Sequence, residues 1–293
     1  GLGTFVDPRN QGGKLNDITK KDLISLVNLE GKEYLYYKTV APNVAFIRAT
    51  TCDSEGYATF EDEVMYLDAL VIAEAVHNNG GIVMMQVQKM VKKATLHPKA
   101  VRIPGYLVDI VVVDPAQTQL YGGAPVNRFI SGDFTLDDSE RVKIPLNQRK
   151  VVARRALYEM KKGAIGNVGV GIADGIGLVA REEGCDEDFV LTVETGPIGG
   201  ITTQGVAFGA NVNTRAILDM TAQFDFYHGG GLDVCYLSFA EVDQHGNVNV
   251  HKFNGKIMGT GGFIDISATS RKIVFCGTLT AGEVGGQAVL GRQ

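Results

Sequence analysis

The sequence is poor in the residues that mark several function classes. Four cysteines occur in 293 residues, Cys52, Cys185, Cys235 and Cys276, and they show no paired or metal-like spacing. Each lies in or near an apolar segment, so buried free thiols in a reducing cytosol are expected. The five histidines, His77, His97, His228, His245 and His251, include no H-E-x-x-H or other ligand spacing, and no metal site is expected. There is no G-x-S-x-G elbow, and no cysteine sits in a context typical of a nucleophile. A net charge of −5 without a basic block argues against a nucleic-acid partner. No apolar stretch approaches the ~18 residues of a membrane span, and no basic-then-apolar leader opens the chain. A cytoplasmic protein without a membrane partner is therefore expected. What is present, 45% apolar and 21% charged residues, suffices for a sizeable core, and the length suits about two domains.

Taken in order, residues 1–16 (GLGTFVDPRNQGGKLN) read as a glycine-rich loop following an earlier strand. Asp22–Leu29 has the spacing of a short amphipathic helix or its start, and Glu33–Thr39 that of a strand. Asn43–Phe60 reads as a buried strand, a D-x-x-G turn and a second strand. Glu61–Asn79 carries Val64, Leu67, Leu70, Val71 and Ala75 on a helical period, with acidic residues at its start and Asn79-Gly80 as a left-handed cap. Ile82–Val87 and Leu107–Val113 are further strands. From Asp114 to Leu146 glycine, proline and paired aspartates break the pattern, which predicts a crossing segment between domains. Gln148–Lys162 then reads as a helix capped by Gly163, Asn167–Val170 as a strand, 174–183 as a helix and Thr214–Gln223 as another. Gly229-Gly230-Gly231 marks a hard break.

One segment recurs. Asp233–Val250 matches Asn43–Phe60 without a gap, Asp243 standing 190 positions after Asp53, and Lys272–Phe275 matches Gly81–Met84 at an offset of 191. Chance similarity of two buried strands is the plain alternative. The near-constant offset favours two homologous open-sheet α/β domains facing each other.

The stretch Leu191-Thr192-Val193-Glu194-Thr195-Gly196-Pro197-Ile198-Gly199-Gly200 is the most distinctive in the chain. Phe189–Val193 reads as a buried parallel strand. A carboxylate follows directly, and then glycine and proline exclude both a strand and a regular helix. Open α/β sheets bind ligands at the carboxyl ends of their strands. The amides of Gly196, Gly199 and Gly200 are thus expected to approach a substrate closely. The alternative is a solvated glutamate ending an ordinary strand. A second motif, Gly169-Val-Gly171-Ile-Ala-Asp174-Gly175, imitates the dinucleotide fingerprint with Glu194 as the ribose acid, but Asp174 occupies the third glycine position. A nicotinamide dehydrogenase is the reading this motif would support.

The segments V-E-T-G-P-I-G-G, G-V-A-F-G-A-N-V-N, F-D-F-Y-H-G-G-G-L-D-V and G-T-G-G-F-I-D together resemble family I coenzyme A transferases, most of all the single-chain short-chain acyl-CoA enzymes. The opening G-L-G-T-F-V-D-P-R and G-G-K-L-N are similar to that family's α half, and Gln148 onward to its β half. The resemblance implies two CoA-transferase domains, one within 1–114 and one, carrying the catalytic Glu194, at 147–293, joined by 115–146. It implies an acyl-CoA:carboxylate CoA-transferase with no tightly bound cofactor, coenzyme A being substrate and covalent intermediate. It names Gly262 and Phe263, with Gly261, as backbone donors to an oxyanion, and Gly196, Gly199, Gly200, Gly169 and Gly171 as CoA-binding or loop positions. Acyl-CoA and short-chain carboxylic acids are the implied partners, and a homo-oligomer (tetramer or dimer) the implied assembly. A citrate-lyase-like acyl exchanger and a metabolite-sensing module on the same fold are the alternatives. The family pattern also begins before Gly1, and residues 283–293 (EVGGQAVLGRQ) depart from it, so the chain reads as a fragment.

Overall fold

The structure, a computed structural model, describes residues 1–121, 123, 125–137 and 143–278. Residues 283–293, and parts of the expected crossing segment, lie outside the described residues. The chain divides into two compact units, a larger one of Ala41–Ser238 with Ser270–Cys276 and a smaller one of Gly1–Val40 and Phe239–Thr269 with the described residues after Cys276.

In the smaller unit β1 (Ile24–Leu29) and β2 (Lys32–Tyr37) form an antiparallel hairpin. The helix expected over Asp22–Leu29 is therefore a strand. Glu30 and Gly31 have φ of +50° and +82°, the turn geometry that matches the twist of paired strands. The Asn28 side chain accepts from the Gly31 N–H at 3.0 Å, which closes the turn. Pairing across the hairpin then overrides the helical spacing.

The first sheet of the larger unit comprises β3 (Val44–Asp53), β4 (Ala58–Thr59), β5 (Ile82–Val91), β6 (Val101–Ile103) and β7 (Ile110–Val113), in the order β6-β4-β3-β5-β7. Strands β3, β5 and β7 are parallel. Helix α1 (Ala69–Asn78) buries Ala73 and Val76 against Ala45, Ile47, Val83 and Met85. It begins eight residues later than the period from Glu61 suggests, because the acidic side chains have partners elsewhere. Glu61 accepts from the hydroxyls of Thr51 and Thr59, and Glu63 pairs with Arg48 at 2.6 Å. Further along, the Gln117 amide donates to Ala49 O at 2.9 Å and the Gln119 amide to Asp62 O at 2.9 Å, which ties the irregular segment to this sheet.

Helix α2 (Gln148–Leu157) starts at Asn147, whose side chain accepts from the Lys150 N–H at 3.0 Å. It stops five residues short of Lys162, since the Glu159 and Met160 amides turn back to Ala156 O and Leu157 O. The second sheet takes β8 (Ile165–Val168), β9 (Val190–Thr192), β10 (Pro197–Ile198), β13 (Ala216–Ile217) and β14 (Val234–Ser238), with α3 (Ile176–Glu183) and α4 (Met220–His228) between them. The short pair β11 (Ile201–Thr202) and β12 (Asn211–Val212) stands apart. Two expectations fail here. The helix expected over Thr214–Gln223 begins only at Met220, because Ala216 and Ile217 pair with Ile198 and Pro197. The Gly196–Gly200 stretch likewise yields a strand of two residues, β10, antiparallel to β9.

Back in the smaller unit lie β15 (Glu241–Val242) with β16 (Val248–Asn249), β17 (Lys252–Phe253) with β18 (Lys256–Ile257), and α5 (Phe263–Thr269). Strand β19 (Ile273–Cys276) then completes the larger sheet, in the order β13-β10-β9-β8-β14-β19. Strands β9, β8, β14 and β19 are parallel, so β19 lies beside β14 as β5 lies beside β3. The repeat read in the sequence is thus an α/β repeat of parallel strand pairs.

Candidate active site

Glu194 stands two residues beyond the end of β9, at the carboxyl rim of the parallel strands. The main chain around it is a tight hairpin. Val193 N–H donates to Pro197 O at 3.1 Å, Gly196 N–H to Val193 O at 3.0 Å and Gly199 N–H to Leu191 O at 2.7 Å. Gly196 has φ of +120°, and a Cβ there would overlap Leu218 O. A Cβ on Gly200 would overlap Val212 O. These glycines let neighbouring backbones meet, and the amides of Gly196 and Gly199, expected to face a substrate, are already bonded within the turn.

Behind Glu194 lies a buried polar cluster that sequence reasoning missed. The Asn167 amide on β8 donates to Glu194 Oε2 at 3.3 Å and to Tyr227 Oη at 3.2 Å. Tyr227 Oη also receives the Gln223 amide at 3.0 Å and lies 2.8 Å from Thr192 Oγ1. Thr192 Oγ1 donates to Gly166 O at 3.0 Å. Asn167, Thr192, Gln223 and Tyr227 are all buried. Two signals were available: polar residues inside apolar strands, and Gln223 four residues before Tyr227 on one helix face.

Glu194 itself is half-buried, and among the described residues no cation is paired with it. Burial holds its carboxyl above the ordinary glutamate value, opposed by its own backbone N–H and by the Asn167 amide. Burial likewise pushes the Tyr227 phenol up to about 12, so it stays protonated.

Gly169 and Gly171, two of the other expected positions, lie close against β14. A Cβ on Gly169 would come within 3.0 Å of Tyr236 O, and one on Gly171 within 2.6 Å of Ser238 Oγ, so both glycines let this loop lie against β14. Asp174 is buried and accepts from the Gln204 amide at 2.6 Å. A carboxylate fills the place where a dinucleotide loop needs its third glycine, which removes support for the nicotinamide reading. Gly261 and Gly262 lie in the smaller unit before α5, where Phe263 N–H donates to Thr260 O at 3.1 Å. The cysteines are free thiols, three buried and Cys185 half-buried, with burial raising Cys52 and Cys276 to about 11. Among the described residues no cluster of three or more metal-ligating side chains occurs, and no helix is long and apolar enough to cross a membrane.

The family model described as coenzyme A transferase matches residues 1–114 of the chain. The chain belongs to the coenzyme A transferase family, with an α/β fold of two CoA-transferase-like domains. It is 87% identical over 284 residues to acetate CoA-transferase YdiF of Escherichia coli strain K12, covering 97% of this chain and 54% of that protein. It is 42% identical over 288 residues to caffeate CoA-transferase of Acetobacterium woodii, covering 96% of this chain and 55% of that protein. The crystal structure of acyl-CoA transferase YdiF from Escherichia coli O157:H7, a thioester complex with CoA, superposes with a TM-score of 0.89 at 84% identity, covering 96% of this chain and 52% of that one. A Pseudomonas malonate decarboxylase, at 17% identity and a TM-score of 0.52, shares the fold alone. The chain spans about half the length of the curated relatives it matches.

Proposed function

We propose that the protein transfers coenzyme A between a short-chain acyl-CoA and a free carboxylic acid, with Glu194 as the nucleophile. The observation that carries this reading is a carboxylate at the strand rim, held by an amide donor and unpaired with any cation among the described residues. Such a carboxylate, once ionised, needs no partner base. Its oxygen attacks the thioester carbonyl, the C–S bond breaks, and CoA leaves as a thiolate. The product is an acyl-glutamyl anhydride. The thiolate then attacks the glutamyl carbonyl, a C–O bond breaks, and the first acid leaves as its carboxylate. A glutamyl–CoA thioester remains. A second carboxylate reverses both steps and departs as its CoA ester, so one thioester replaces another.

Each tetrahedral intermediate carries an oxyanion, where one lost donor typically slows reaction by ~10²–10³-fold. Family resemblance assigns that role to Gly262 and Phe263, and for Phe263 it requires the N–H to leave Thr260 O. Contacts to the remote CoA tail supply the binding energy that a weak nucleophile lacks. The same resemblance supports two homologous halves, within 1–114 and 147–293, and a homo-oligomer.

The test is intact-mass analysis of the full chain after incubation with acetyl-CoA. A covalent CoA adduct is expected, and Glu194→Gln should abolish it and lower transfer by about a thousandfold or more. Reversible binding without an adduct would instead mark a sensing module.

A further inference from the structure

We propose that Tyr227 is a positioning residue for this reaction, its hydroxyl fixing the Asn167 amide with the NH₂ group toward Glu194. The proposal rests on the reading of Glu194 as nucleophile. It follows from where each proton in the buried cluster must go. Thr192 Oγ1 has one proton and gives it to Gly166 O at 3.0 Å. In the 2.8 Å contact between Thr192 and Tyr227 the phenol is therefore the donor. With that proton committed, Tyr227 Oη accepts from Gln223 Nε2 at 3.0 Å and from Asn167 Nδ2 at 3.2 Å.

Asn167 must then present NH₂ to Tyr227, and the same group reaches Glu194 Oε2 at 3.3 Å. The reversed amide would set its oxygen against a phenol with no proton to give and against a carboxylate. Asn167 Oδ1 is buried and has no hydrogen-bond partner among the described residues, so no bond at the oxygen end holds the amide. Its orientation is imposed from the nitrogen end. Tyr227 in turn is aligned by Gln223, one turn earlier on α4, and by Thr192 on β9, two residues before the nucleophile. Among the described residues, the groups that bear on the Glu194 carboxyl from neighbouring elements are Asn167 of β8 and, behind it, Tyr227 of α4. The donated N–H favours the ionised carboxylate and returns it to one rotamer after each turnover, leaving Oε1 to attack.

Tyr227→Phe removes the anchor with little change of volume. In the full chain, kcat for acyl transfer is expected to fall about tenfold, the scale of one hydrogen bond to a charged group, with KM changed less than about twofold. The acid limb of the adduct-formation profile should move upward by roughly one pH unit, because a carboxyl that loses a donor is harder to ionise. Thr192→Val should move it in the same direction. Tyr236→Phe is the control: Tyr236 Oη on β14 is also buried and has no partner among the described residues, so its removal should leave the limb in place. An unmoved limb in Tyr227→Phe, or an equal shift in Tyr236→Phe, overturns the proposal. A fall in adduct stoichiometry without a shift in the limb does the same, since it marks a merely structural role. If Tyr227→Phe fails to fold, Thr192→Val against Tyr236→Phe decides by the same limb. If the unmodified protein forms no adduct and Glu194→Gln retains activity, the nucleophile reading itself fails and takes this role with it. That outcome differs from one in which only the Tyr227→Phe profile stays put.

Discussion

The turns at Asp53–Tyr57 and Asp243–Asn247 are built from the same bonds in different surroundings. In each the aspartate N–H donates to the carbonyl four residues on, at 2.9 and 3.0 Å, and the glycine N–H donates back to the aspartate carbonyl at 3.1 Å. In each the aspartate Oδ1 caps two amides, those of Glu55 and Tyr57 in one and of His245 and Asn247 in the other. Gly56 and Gly246 share the left-handed backbone, with φ of +89° and +84°. The settings then diverge. Asp53 is 3% exposed, its Oδ2 takes the Ala94 N–H, and Gly105 lies directly under the turn. Asp243 is half-buried, and among the described residues its Oδ2 takes only the neighbouring Asn247 side chain and a Cβ on Gly246 would meet open space. One local motif therefore serves as a buried corner in the first case and as a free-standing tip in the second.

Three measurements test that contrast. The largest effect is expected from Gly105→Ala, whose Cβ would overlap Glu55 O, main chain that cannot swing aside. It should cost about 3 kcal/mol in urea unfolding, and a loss below about 1 kcal/mol would mean that the buried corner is not rigid. Next, Asp53→Ala should cost about 2 kcal/mol by taking the buried acceptor from the Glu55, Tyr57 and Ala94 amides, whereas Asp243→Ala should cost less, since water can replace its more exposed carboxylate. Equal losses would break the comparison.

The smallest effect is in acid. Hydrogen bonds from Asn247, side chain first and then backbone, hold the Asp243 carboxyl below its ordinary value of 3.8. A carboxyl depressed in the folded state contributes stability that is fully present above the unfolded value and lost as pH falls through the folded one. The gap in melting temperature between the native protein and Asp243→Ala should therefore narrow below about pH 4 and stay constant above it.

The chain announced these turns because Asp-x-x-Gly flanked by apolar runs is a local pattern. The same holds for the parallel strands and for the rim position of Glu194, which needed only an apolar run, an acid and a glycine-rich break. The helices over Glu61–Asn79 and Thr214–Gln223 were misjudged at their starts for a shared reason. Periodicity continued through both segments, but Glu61 and Glu63 had bonds to Thr51, Thr59 and Arg48, and Ala216 and Ile217 had a strand to pair with. The glycines after Glu194 are a different case. Composition marks them as places of close approach, yet not whether a ligand or another backbone makes that approach.

By itself, then, the sequence determined the repeated strand–turn unit, the acid just beyond β9 and the resemblance to coenzyme A transferases, all of which are written in contiguous residues. Tertiary structure alone decided what stands behind that acid. Asn167, Thr192, Gln223 and Tyr227 come from two strands and a helix dispersed along the chain, and their protons find fixed directions only once those elements pack. Hydrogen-bond direction is a property of neighbours in space, and neighbours in space are what folding supplies.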